Sequence, residues 1–84
     1  MKTDTLNDEY KNLGRNIAHY RKKAHLTQVG LALKANISRG YLSQIEASNV
    51  DKAPSLDMIF NIAHVLNVPV YKFFVHNENL CDSN

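Results

Sequence analysis

The stretch Thr27-Gln28-Val29-Gly30-Leu31-Ala32-Leu33-Lys34-Ala35-Asn36-Ile37-Ser38-Arg39-Gly40-Tyr41-Leu42-Ser43-Gln44-Ile45-Glu46 decides how this chain folds. Thr27 and Ser38 are both residues whose hydroxyl can accept from the free backbone N–H groups of a first helical turn. They stand eleven residues apart. Between them, Leu31, Ala32 and Ala35 have the spacing of one apolar helix face, and Asn36 sits where a left-handed residue would end that helix. After Ser38, Leu42 and Ile45 mark the inner face of a second helix, Arg39 to about Ala47. With only Asn36-Ile37 between them, the two helices are expected to cross steeply.

The flanks are helical too. Leu13, Ile17 and Tyr20 recur at i, i+4 and i+7, with Ala18 and Ala24 widening the stripe. A first helix is expected from Asp8, capped by Asn7 or Asp8, to about Ala24. Lys22 and Lys23 suit its C-terminal end, where the helix dipole favours cations. Ser48 to Pro54 lacks apolar periodicity and reads as a loop. Ser55 then caps a fourth helix, whose apolar stripe is expected to comprise Leu56, Ile59, Phe60, Ala63 and Leu66. Asn67 ends it, and Pro69 prevents continuation. Val70 to His76 reads as a short fifth helix. No segment alternates as a strand would. The expected class is all-α: an N-terminal tail over 1–9, one domain over 10–76 and a polar C-terminal tail over 77–84.

Composition narrows the function classes. With 84 residues, 44% of them hydrophobic and 21% charged, the chain can bury one core and is too apolar for a disordered segment. No apolar run approaches the roughly 20 residues that span a bilayer, and the first residues lack the apolar stretch of a signal peptide. The single cysteine, Cys81, can form no internal disulfide, so a cytoplasmic setting is expected. The net charge of +2 is unevenly spread. Lys11 to Lys52 holds eight basic residues against Glu46 and Asp51, a net of +6, while the remainder nets −4. That segregation suits a polyanion-facing side, and equally a solvated basic face. His19, His25, His64 and His76 show no metal-ligand spacing. No phosphate-binding glycine loop, carboxylate pair or nucleophile–base arrangement stands out. A non-enzymatic protein without cofactor or metal is expected.

Two short helices in steep succession are the geometry of a helix-turn-helix. Thr27-Gln28-Val29-Gly30-Leu31-Ala32 followed by Ile37-Ser38-Arg39-Gly40-Tyr41-Leu42-Ser43-Gln44-Ile45-Glu46 resembles the Cro/repressor-type, XRE-like helix-turn-helix regulators. The flanks agree: Ile17, Arg21 and Lys22 upstream, Pro54-Ser55-Leu56 and Ile62-Ala63-His64-Val65-Leu66-Asn67-Val68 downstream. The likeness covers Leu13 to Phe74, about three quarters of the chain. The ending Val70-Tyr71-Lys72-Phe73-Phe74 is similar to small stand-alone members, among them restriction–modification controllers and phage-type repressors. Gly30 departs from the pattern, standing where a helix-forming polar residue is usual. So do Asn36, in place of a glycine, and a loop from Glu46 to Pro54 about two residues longer than typical.

The resemblance implies a compact five-helix lambda-repressor-like domain that binds double-stranded DNA and regulates transcription, most naturally as a repressor. Arg39, Gly40, Ser43 and Gln44 would face the bases. Arg39 suits a bidentate contact to guanine and Gln44 one to adenine. Gln28 would bond a phosphate, with Thr27, Lys34, Tyr41, Asn49 and Lys52 as further backbone contacts. Tyr41 has the alternative of covering the helix crossing. Glu46 would pair with Arg21 as a structural brace. One recognition helix reads few base pairs, so a homodimer on a pseudo-palindrome is expected. Tyr71, Phe73, Phe74 and Val75 are its candidate interface, unless Phe73 and Phe74 complete the monomer core. A different class of function, an antitoxin or anti-regulator whose main task is binding another protein, fits the same residues.

Overall fold

The computed structural model describes residues 2–47 and 54–76, with side chains from residue 8 on. Four α-helices follow one another: α1 (Lys2–Lys23), α2 (Gln28–Ala35), α3 (Arg39–Ala47) and α4 (Leu56–Leu66), with a 3-10 segment at Val70–Phe74. There is no strand among the described residues. Helix α1 packs against α3, α4 and the 3-10 segment, and α2 bridges α3 and α4. The core lies between them: Leu13 and Ile17 from α1, Leu31, Ala32 and Ala35 from α2, Leu42 and Ile45 from α3, and Ile59, Ile62, Ala63 and Leu66 from α4.

Local chemistry sets most boundaries. Thr27 Oγ1 accepts from Gly30 N at 2.9 Å, Ser38 Oγ from Tyr41 N at 3.0 Å and Ser55 Oγ from Met58 N at 3.2 Å. Asn36 and Asn67 close α2 and α4 in the left-handed conformation, at φ 61° and 58°. His25, at φ 62°, does the same after α1, where no sequence signal announced it.

Four expectations need correction. Helix α1 starts at Lys2, so residues assigned to an N-terminal tail over 1–9 are helical. Apolar periodicity is silent there, yet Lys2 to Asp8 contains no Gly or Pro to stop a helix. Ala24 lies outside α1 and is exposed. The fifth helix expected over 70–76 is instead five residues of 3-10 geometry. Asn16 fastens its end: Nδ2 donates to Phe73 O at 2.7 Å and Val75 O at 3.0 Å, giving a donor to carbonyls that have no partner within so short a segment. Finally, Leu56 and Phe60, placed by periodicity in the core stripe of α4, are 64% and 51% exposed. The buried face of α4 runs through Ile59, Ile62, Ala63 and Leu66, and those two residues fall beyond its edge.

Two close approaches hold the bundle. Gly14 is buried in α1, and a Cβ there would lie 2.3 Å from Ile45 O and 2.9 Å from Glu46 O, so α1 and the end of α3 touch backbone to backbone. Asn61 Nδ2 donates to Ala35 O at 2.7 Å, fastening α4 to an end-of-helix carbonyl of α2. Asn12 and Asn16, both polar, are also buried in α1.

Candidate nucleic-acid interface

Helices α2 and α3 are linked through three consecutive residues. Asn36 N donates to Leu33 O at 3.3 Å and Ile37 N to Ala32 O at 3.0 Å, after which Ser38 opens α3. Ile37 is half-buried against the core and so pins the turn. The left-handed Asn36 ends α2 and turns the chain sharply toward α3.

Burial divides α3 into two faces. Leu42 and Ile45 are sealed in the core, whereas Arg39, Gly40 and Gln44 are exposed and Ser43 is half-buried beside them. Arg39 and Ser43, like Gly40 and Gln44, are four positions apart, so all of them share one outward face. A Cβ at Gly40 would meet nothing within 4 Å. Nothing in the protein's own packing therefore requires glycine at that position.

The candidate phosphate contacts are more varied. Lys34 is exposed in the last turn of α2. Thr27 is exposed, with its hydroxyl engaged as the α2 cap. Tyr41 is half-buried and packed against the core, in keeping with cover for the helix crossing. Asn49 and Lys52 lie outside the described residues. A Cβ on Gly30 would be 3.3 Å from Thr27 Oγ1 and 3.5 Å from Leu26 Cδ2, so the crowding there comes from its own turn and not from a neighbouring helix.

Gln28 has a role that its position in the sequence does not reveal. Arg21 Nε donates to Glu46 Oε2 at 2.7 Å and Arg21 Nη2 to Glu46 Oε1 at 3.1 Å. Arg21 Nη1 reaches Leu26 O at 2.7 Å, and Gln28 Nε2 donates to Glu46 Oε1 at 3.0 Å. The ion-pair side chains are only 10% and 6% exposed, and together they join α1, α2 and α3. A planar guanidinium meeting a carboxylate through two donors is the strongest form such a pair takes. The Arg21–Glu46 brace was legible in the sequence; the attachment of Gln28 was not.

The candidate dimer surface divides. Tyr71, Phe74 and Val75 are 62%, 49% and 41% exposed. Phe73 is 0% exposed, with its ring 6.2 Å from that of Tyr20, so it belongs to the monomer core and cannot serve an interface. Among the described residues no helix is long and apolar enough to cross a membrane, and no group of three or more His, Cys, Asp or Glu is placed to hold a metal.

A family model described as Helix-turn-helix matches residues 17–73, the span from the middle of α1 to the 3-10 segment. The chain belongs to the XRE-type helix-turn-helix family. It is 43% identical over 58 residues to the immunity repressor protein of Bacillus phage phi105, covering 69% of this chain and 39% of that protein. It is 36% identical over 59 residues to the HTH-type transcriptional regulator SinR of Bacillus subtilis, covering 70% of this chain and 52% of SinR. The match thus spans about half or less of these relatives. A crystal structure of a hypothetical transcription factor, NHTF, from Neisseria superposes with a TM-score of 0.76 over 90% of this chain and 85% of that one. At 22% identity, it shows that this XRE-type chain has the same fold.

Proposed function

We propose that this XRE-type protein is a sequence-specific DNA-binding transcriptional regulator, acting as a repressor. It would insert the outer face of α3 into the major groove, with α2 across the backbone. The observation that carries this reading is the division of α3, with Arg39, Gly40 and Gln44 free on one side and Leu42 and Ile45 sealed on the other. Arg39 would read guanine and Gln44 adenine, while Lys34, Gln28 and Thr27 would hold the phosphates. The similarity to a phage immunity repressor supports the sign of regulation.

Selecting bound duplexes from a random pool tests the reading, and a pool without enrichment would sink it. Arg39→Ala should weaken the selected site by about 1–3 kcal/mol and relax preference at one base position. A uniform loss over all sequences would show that Arg39 touches only the backbone.

We further propose that the active species is a homodimer on a pseudo-palindrome, with Tyr71, Phe74 and Val75 in the interface. Tyr71, Phe74 and Val75 expose apolar surface within five residues of one another, a surface that a second copy would cover. The average mass in solution should rise with concentration, and Phe74→Asp should shift that rise to higher concentration. A wild-type mass that stays monomeric at every concentration would refute the interface.

A further inference from the structure

We infer that Glu46 is a positioning residue for DNA binding, acting through Gln28, in addition to bracing the fold with Arg21. The inference rests on the DNA-binding reading above and adds to it how the backbone contact of α2 is oriented.

Arg21 already engages both carboxylate oxygens of Glu46, which completes the ion pair without Gln28. The further bond from Gln28 Nε2 to Glu46 Oε1 therefore has its main effect on Gln28. A carboxylate only accepts, so the amide nitrogen must face it and the amide cannot flip. This leaves one N–H and the oxygen of the Gln28 amide for other partners. A phosphate, also an acceptor, can use that second N–H and would be repelled by the oxygen.

The network fixes more than the amide plane. Gln28 is the first residue of α2, and Arg21 Nη1 holds Leu26 O just before the helix starts. Both the backbone entering α2 and the side chain leaving it are thus tied to one guanidinium–carboxylate unit. A free glutamine would surrender several rotatable bonds on meeting a phosphate, and Gln28 has already surrendered them. Glu46, although negative, favours the polyanion through this arrangement because its charge is taken up by Arg21.

A double-mutant cycle on DNA affinity tests the inference, using Glu46→Gln, Gln28→Ala and the pair. The near-isosteric Glu46→Gln can accept or donate and so no longer dictates which way Gln28 turns. It should weaken binding to the selected operator and to an unrelated duplex alike, by about three- to tenfold, the loss of one well-placed hydrogen bond. In the Gln28→Ala background the same change should add almost nothing. Equal losses in both backgrounds would mean that Glu46 acts only through the fold. An unaltered affinity for Gln28→Ala would also overturn the inference, while leaving the regulator reading intact if Arg39→Ala still relaxes specificity. Wild-type protein that bound no duplex at low salt would instead remove the regulator reading itself. Helicity measured at the assay temperature checks folding, and if Glu46→Gln is unfolded, Glu46→Asp takes its place, withdrawing the carboxylate from Gln28. A measurement on the unaltered protein stands beside these. The side-chain amide protons of Gln28 should exchange with solvent more slowly than those of the exposed Gln44, and equal exchange would contradict the held geometry.

Discussion

Phe73→Ala should lower the stability of the folded protein by about 3–5 kcal/mol, the largest loss expected from any single truncation here. Phe73 is wholly buried, and its ring lies beside Tyr20 of α1. Removing it empties a space between α1, α4 and the 3-10 segment that neighbouring helices cannot close without shifting. A domain of this size commonly has about 5–15 kcal/mol of total stability, so the variant should melt far below the wild type. The check is denaturant unfolding of Phe73→Ala beside Phe74→Ala. Phe74, half exposed on the same segment, should cost much less in the monomer. If the two variants lost equal stability, the assignment of Phe73 to the core and Phe74 to the surface would be wrong.

Gly14→Ala should be the second severe case, at about 3 kcal/mol, near the upper end of the usual cost of overpacking. Alanine favours a helix interior by about 1 kcal/mol over glycine, and at an exposed site this change would stabilise. Here the new methyl would stand 2.3 Å from a backbone carbonyl oxygen of α3, and a carbonyl inside a helix cannot rotate away as a side chain can. The two helices must separate, loosening Ile45 and the Arg21–Glu46 pair. The expected drop in Tm is roughly 12–24 °C. A melting temperature equal to or above the wild type would show that α1 and α3 do not meet as closely as described.

The elements legible in the sequence are those fixed within a few residues of chain. Thr27, Ser38 and Ser55 were readable as caps because a cap is made by a side chain and an amide three residues on. Asn36 and Asn67 were readable because few residues accept a left-handed turn. The outward face of α3 followed from the same local periodicity, because Leu42 and Ile45 mark its inner side. The features that escaped depend on distant partners. Asn16 reads as an ordinary polar helix residue until Phe73 O and Val75 O arrive from 57 and 59 residues away. Gly14 gives no hint of the helix pressed against it. Gln28 meets Glu46 across 18 residues. Leu56 and Phe60 show a different limit: periodicity locates the middle of an apolar stripe, but its edge is set by where neighbouring helices stop.

The close contact at Gly14 makes α3 a cantilever. Its root, at Ile45 and Glu46, is clamped by the α1 backbone and by a buried ion pair, while the residues at its tip, Arg39 and Gly40, are exposed. Substitutions at the root are therefore felt by the whole domain, and those at the tip are felt by whatever the tip touches. On such a beam the residues at positions 39, 40 and 44 can be exchanged without renegotiating the architecture.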